Sequence, residues 1–416
     1  MRSIYTTFFA LLLVVKSMAT TNDSISHWGY GLSVSPSKTI VMDSWQKEWQ
    51  KDKNNFSIDA TVMRQWLPSD SSAYARDYNY PSLSISAKYA FNHGVTMHRP
   101  AKPKRRRGGE ADYDSRLGNS LSLYATFTRT IYRNRRFDFD YSLSFGGAYS
   151  KTKYNPYDNI DNELVGSHLS IHFGAGVHAT YHPVPDWGIR VGAEYWHISN
   201  GAMARPNKGA NFFGPSVGIV YTPYYETLLK KETAAKEKFH PYFFANIAFA
   251  VGAKTLHEDW NKSYYSSTPD NELYYRTDFP VYATLAWQVD GMYRYARRWA
   301  SGVGVDLFYG HYAKRVAEME GPTSKYRHSP WSVGVAAKHE VYFGNLVCQI
   351  GIGYYLHREM GRFAKDVEKP YYERVGVSYC FDKLGGMRLG FNIKAHFTKA
   401  DYTELLLTMP IRLSKK

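Results

Sequence analysis

The segment IRVGAEYWHISNGAMARPNKGANFFGPSVGIVY, residues 189–221, carries His197 and Ser199 two positions apart. An imidazole that reaches a hydroxyl can take its proton, and a hydroxyl activated in this way attacks an ester carbonyl. A third group that fixes the imidazole completes such a site. His-x-Ser alone is common by chance, so the pair has meaning only through the element that carries it. Residues two apart on one strand face have Cβ atoms roughly 6.5–7 Å apart, a gap that an imidazole turned toward the hydroxyl can close. The question is then whether residues 189–200 form a strand, and which way its odd positions face.

The whole chain points to strands. Aromatic residues make up 16% of it, with 36 Tyr and 32 Gly, and it reads as short segments of strict alternation separated by polar loops. In FDFDYSLSFGGAY (137–149), Phe137, Phe139, Tyr141, Leu143 and Phe145 alternate with Asp138, Asp140, Ser142, Ser144 and Gly146. About sixteen such segments recur, near 28–40, 57–66, 81–92, 119–132, 136–149, 166–182, 189–200 and 211–222, then 242–254, 279–291, 297–311, 331–342, 346–356, 371–381, 387–398 and 403–413. Short turns at 133–136, 183–187, 343–345 and 382–386 alternate with longer loops at 93–118, 150–165, 255–278, 312–330 and 357–370. Short periplasmic turns and long external loops mark an all-β, antiparallel outer-membrane barrel, whereas a soluble sandwich has no reason to alternate them. A single barrel of about sixteen strands is the favoured arrangement over two eight-stranded modules, although inward residues such as Gly174, Gly176, Gly192, Gly214 and Gly218 are small enough for a narrow, filled interior.

Arg2, the apolar run Ile4–Val15 and Ser17-Met18-Ala19 read as a signal peptide, residues 1–19. Residues 20–222 then form one half, 223–239 a charged periplasmic linker, and 240–416 a second half. IRVG (189–192) returns as MRLG (387–390), each ahead of a His-x-Ser/Thr, which suggests an old duplication. The net charge is +15. In an exported chain this favours the phosphates of anionic lipid or lipopolysaccharide over nucleic acid. KPKRRR (102–107) lies in an external loop, where Lys104, Arg105, Arg106 and Arg107 could meet such phosphates. Cys348 and Cys380 are too few for a disulfide framework. No zinc-type Cys/His spacing occurs, and His168, His172, His178 and His182 are spread along one strand, so no metal or cofactor is expected.

Faces can now be assigned. Arg190 and Glu194 cannot face hydrocarbon cheaply, so the even positions of 189–200 point into the lumen. Tyr195, His197 and Ser199 then face lipid, beside the apolar odd faces of 169–181 and 213–221. The strand starts at a short turn, which puts the pair near the outer leaflet. Polar groups there lack water, and hydrolysis of a membrane ester would give them a role. A hairpin pairing Ser199 with Asn211 and His197 with Phe213 brings Asn211 within diagonal reach of His197, as an orienting group without charge. The Asn200 side chain or the N–H groups of Gly201 and Ala202 are the candidate oxyanion donors.

HISNGAMARPNKGANFFG resembles the active-site segment of the outer-membrane lipid A 3-O-deacylases, the PagL-type acyloxyacyl hydrolases. The resemblance is specific over about 189–222, weaker over 120–188, and without a clear motif in 240–416. It implies an eight-stranded barrel that removes the 3-linked acyl chain of lipid A, with His197 as base, Ser199 as nucleophile, Asn200 in the oxyanion hole and Asn207 shaping the site. Family members carry Glu twelve residues after the serine, where this chain has Asn211. The echo in the second half, HFTKA, puts His396 and Thr398 on the inward face and reads as a degenerate copy. The rival readings are a porin or scaffold barrel with a vestigial pair, and a phospholipase or acyltransferase of the same bilayer.

Overall fold

The computed structural model of the protein describes residues 26–100, 111–230, 238–266, 270–272, 274, 276–396 and 399–413. The leader and the cationic run 102–107, with Lys104, Arg105, Arg106 and Arg107, lie outside the described residues, as does Thr398.

Antiparallel strands dominate. In chain order they are β1 (Trp28–Thr39), β2 (Gln50–Gln65), β3 (Ser82–Phe91), the short β4 (Val95–Met97) and β5 (Ser115–Arg116), then β6 (Ser120–Arg133), β7 (Phe137–Ser150), β8 (Leu169–Val184), β9 (Trp187–Ser199) and β10 (Ala210–Tyr221). The second half holds β11 (Tyr242–Thr255), β12 (Val281–Arg294), β13 (Trp299–Gly310), β14 (His328–Phe343), β15 (Leu346–Met360), β16 (Tyr371–Phe381), β17 (Met387–His396) and β18 (Lys399–Arg412). Every segment of alternation thus becomes a strand.

The strands close twice. β1 pairs with both β2 and β10, which seals a first ring of eight through β3, β6, β7, β8 and β9. β11 pairs with both β12 and β18, sealing β11–β18 as a second ring of eight. The favoured single sixteen-stranded barrel is therefore corrected to two eight-stranded barrels. The cause is visible inside. An eight-stranded barrel has just enough room for its own side chains, and the glycines of the inward faces make that room. A Cβ on Gly176 or Gly192 would meet the His178 ring, and one on Gly174 would meet Ser144 Oγ.

Both lumens are filled with paired charge. In the first, Arg190 Nη1 and Nη2 donate to the Asp140 carboxylate at 2.7 and 2.6 Å, and Lys88 Nζ donates to Glu194 Oε2 at 3.1 Å. A cavity of about 160 Å³ remains, with Asp59, Lys88, His172, His178 and Glu194 among its lining residues. In the second, Lys338 Nζ donates to Asp306 Oδ1 at 2.7 Å, Tyr372 OH to Asp306 Oδ2 at 2.6 Å, and Arg374 to Glu404. Each buried charge is costly unless paired, and these are paired.

The barrels also grip each other at both ends. At the short-turn end, the helix Ala73–Asp77 of the first barrel lies at the mouth of the second. Tyr74 packs against the cluster of Phe244, Met292, Ala300, Tyr342 and Val347, and its hydroxyl accepts from Arg294 Nη2 at 2.8 Å. Tyr78 OH donates to the Tyr342 carbonyl at 2.8 Å, and Arg298 Nη1 to that of Asp77 at 2.6 Å. At the long-loop end, Trp260 and Tyr264 of the second barrel pack with Tyr154 and Ile160 of the first.

Candidate active site

The site is set by β9. Its even residues are lumenal: Arg190 and Glu194 make the ion pairs above, and Trp196 stacks on Phe212 with ring centroids 3.7 Å apart. Its odd residues face outward, and Ile189 and Val191 are each 48% exposed on the apolar wall. His197 and Ser199 continue that outward row near the long-loop end.

The expected pairing of the β9–β10 hairpin is shifted by two residues. His197 lies opposite Asn211 and Tyr195 opposite Phe213, rather than Ser199 opposite Asn211. A two-residue shift keeps every side chain on its face, so Asn211 stays outward and gains a direct contact. On the other side, His197 lies opposite Phe173 and Ser199 opposite Ile171.

His197 bridges the remaining groups. Its Nε2 lies 2.8 Å from Ser199 Oγ and its Nδ1 2.8 Å from Asn211 Oδ1. The same amide oxygen accepts a hydrogen bond from Tyr195 OH at 2.6 Å. An oxygen that accepts from both sides requires the proton on Nδ1, which leaves the Nε2 lone pair facing the serine hydroxyl. This is the tautomer a general base needs. Tyr195 escapes a search for His-x-Ser, yet parity could have found it, as the outward polar tip two residues before His197. Ser199 and Asn211 are buried, at 8% and 5% exposure, although they lie on the outer wall.

Their cover is the loop 200–209. Asn200 N–H donates to Asn207 Oδ1 at 3.0 Å, so Asn207 holds the turn. The Asn200 side chain donates to Ser167 Oγ at 3.0 Å and accepts from Ala204 N–H at 3.2 Å. Gly201 and Ala202 both have positive φ, 60° and 71°. Among the described residues, their N–H groups meet no acceptor, whereas the Asn200 amide is already engaged. Of the two candidates for an oxyanion donor, the Gly201-Ala202 backbone is thus the one left without an acceptor.

Further contacts brace the loop. Lys208 N–H donates to the Glu163 carbonyl at 3.0 Å, and Gly209 N–H to that of Leu164 at 2.9 Å. Lys208 Nζ pairs with Asp43 at 2.7 Å. Burial opposes the charge on Asp43, but the Lys208 bond and the Gln46 N–H hold its carboxyl below the ordinary range. Gly209 has φ 77°, and a Cβ there would strike His197 Cε1. Ala202 of this loop also meets the second barrel at Thr255.

The other sequence candidates lie apart from the site. His178 pairs with Asp140 and Glu194, His182 with Asp138, and His172 stacks between Tyr124 and Trp196, so these histidines pack in the lumen of the first barrel. His396 faces into the second barrel, where its Nε2 lies 2.8 Å from Tyr355 OH. His396, Glu368 and Asp401 come close enough to hold a metal ion. However, Lys394 and Lys254 already sit on Asp401, and Arg358 on Glu368. A divalent cation would have to displace them. His396→Ala is expected to keep the activity of folded protein within about twofold of wild type, assayed side by side.

Comparison with known proteins follows the same division of the chain. Residues 84–220 match the family model described as lipid A 3-O-deacylase (PagL). Residues 243–413, where the sequence showed no clear motif, match the model described as acyloxyacyl hydrolase, C-terminal domain. Similar solved structures include the outer membrane enzyme PagL, at 12% identity and TM-score 0.28, over 46% of this chain and 98% of that one. Others are the NanC porin, at 7% identity and TM-score 0.16 over 92% of this chain and 100% of that one, and the P. putida toluene transporter TodX, at 8% and 0.17 over 94% and 92%. No curated protein matches the chain.

Proposed function

From the premise that the chain belongs to the lipid A 3-O-deacylase family and is an outer-membrane ester hydrolase, we propose that it removes the 3-linked acyl chain of lipid A with Ser199 as nucleophile and His197 as base. The observation that carries this reading is the continuous chain of contacts from Tyr195 and Asn211 through His197 to Ser199, on the outward face of β9.

The chemistry runs in two halves. Ser199 Oγ attacks the ester carbonyl carbon as its proton passes to His197 Nε2. The negative charge that gathers on the carbonyl oxygen is met by the N–H groups of Gly201 and Ala202. Collapse of the tetrahedral intermediate breaks the bond to the sugar oxygen, which takes the proton back from His197. Water, deprotonated by the same imidazole, then attacks the acyl-serine; the bond to Ser199 Oγ breaks, His197 returns the proton to that oxygen, and the fatty acid leaves. No metal enters these steps. The substrate approaches along the membrane wall, where Phe173, opposite His197, and Phe213, opposite Tyr195, offer apolar surface to an acyl chain.

Asn211 orients the imidazole but adds no charge to stabilise the imidazolium that forms in each half. Asn211→Asp is nearly isosteric, and Tyr195 OH and His197 Nδ1–H remain to satisfy the carboxylate. It is expected to raise kcat about tenfold, the equivalent of roughly 1.4 kcal/mol of transition-state stabilisation. An unchanged or lower kcat would show that charge is not what the base lacks.

The proposal is tested by mass spectrometry of lipid A from cells expressing the protein. Loss of one 3-linked hydroxyacyl chain, dependent on Ser199, is the expected result. Fatty acid released from phospholipid instead, with lipid A intact, would replace it with the phospholipase reading. No change in either lipid, with the barrels folded, would overturn the assignment.

A further inference from the structure

The second barrel contains no part of the Ser199–His197–Asn211 chain, yet it touches the loop that follows Ser199 at three points. The Ala202 carbonyl accepts two hydrogen bonds from Thr255, one from its N–H at 2.8 Å and one from its Oγ1 at 2.8 Å. Arg205 closes the ring in the other direction, donating from Nε at 3.3 Å and Nη2 at 3.0 Å to the Thr255 carbonyl. Thr403 of β18 lies against Gly201, so closely that a Cβ on the glycine would strike its methyl group.

These contacts act on a strained backbone. Ala202 has φ 71° and is only 1% exposed. A non-glycine residue in the left-handed region costs roughly 1–3 kcal/mol and persists only where its surroundings impose it. Here the imposing groups are Thr255, Arg205 and Thr403. Two of the three belong to the other barrel, and Arg205 reaches across to it. Among the described residues the Gly201 and Ala202 N–H groups meet no acceptor, so what fixes these two residues also fixes the direction of those donors.

We propose that the second barrel is a positioning element of the esterase site: through Thr255 and Thr403, with Arg205 as the returning strap, it holds Gly201 and Ala202 in the conformation that aims their N–H groups at the developing oxyanion. The inference rests on the reading of Ser199 as nucleophile. Oxyanion donors act on the transition state far more than on the bound ester. The effect of loosening them therefore falls on kcat.

Three variants of the full chain test this. Arg205→Ala removes the strap, Arg205→Lys retains one donor, and Thr403→Phe pushes a ring against Gly201 without altering the first barrel. For Arg205→Ala and Thr403→Phe, kcat is expected to fall about 10- to 100-fold, less than the roughly 100- to 1,000-fold that follows outright loss of an oxyanion donor. KM should stay within about twofold. Arg205→Lys should recover part of the loss. A kcat near wild type in both Arg205→Ala and Thr403→Phe, or a loss carried by KM alone, overturns the proposal. If one variant fails to reach the heat-modifiable folded state, the remaining two decide. Ser199→Ala is measured beside them. Full activity there removes the nucleophile assignment itself, whereas an inactive Ser199→Ala with a fully active Arg205→Ala and Thr403→Phe removes only the positioning role.

Discussion

Ser199→Ala is expected to lower deacylation by at least about a thousandfold while the protein still folds, because loss of an activated nucleophile leaves only binding and the oxyanion donors to act. The substitution removes a single oxygen from a side chain that is 8% exposed. That oxygen's recorded role is the 2.8 Å contact with His197 Nε2, so its removal leaves the His197–Asn211–Tyr195 contacts in place. The measurement is the rate of fatty acid release from purified lipid A by protein whose folding has been checked by its heat-modifiable mobility. Activity within tenfold of wild type would mean that another group attacks the ester.

A second large effect is expected where there is no side chain at all. Gly209→Ala should reduce kcat by about a hundredfold, in line with the cost of moving catalytic groups by about an ångström. The added methyl would enter the space of His197 Cε1, and φ is 77° at this position. The ring can yield only by turning away from Ser199 or from Asn211. Either movement breaks the proton path. Binding of the acyl chain at the outer wall does not depend on that ring, so KM should change little. A Gly209→Ala variant with wild-type kcat would show that the loop, not the imidazole, gives way.

Much of this was legible in the sequence. Alternation placed all sixteen barrel strands, since a strand with one face to lipid and one to a packed lumen must alternate. Parity also set the direction of His197, because Arg190 and Glu194 on the opposite face could only be lumenal, where they pair with Asp140 and Lys88. Closure was harder to read. Whether β10 returns to β1 or continues to β11 depends on hydrogen bonds between strands nearly two hundred residues apart, and local pattern carries no record of them. The inward glycines were the clue, and they weighed less than the strand count. The hairpin register erred by two residues because the length of the loop after Ser199 does not fix where pairing resumes; it resumes at Ala210 opposite Ile198. The contacts at Thr255 and Thr403 had no signature in sequence, since they join segments brought together only when both barrels have formed.

The outward direction of β9 has a consequence for how the reaction is fed. With paired charges in both lumens and the His197–Ser199 pair on the wall, the proposed mechanism has the enzyme meet its ester by lateral diffusion within one leaflet. The variable that governs saturation is then the mole fraction of substrate among surrounding lipids, not its amount per volume of solution. Adding inert lipid or detergent at constant total substrate thins the neighbourhood of the wall and slows turnover. In a living envelope, the same geometry ties the rate to the local packing and composition of the outer leaflet.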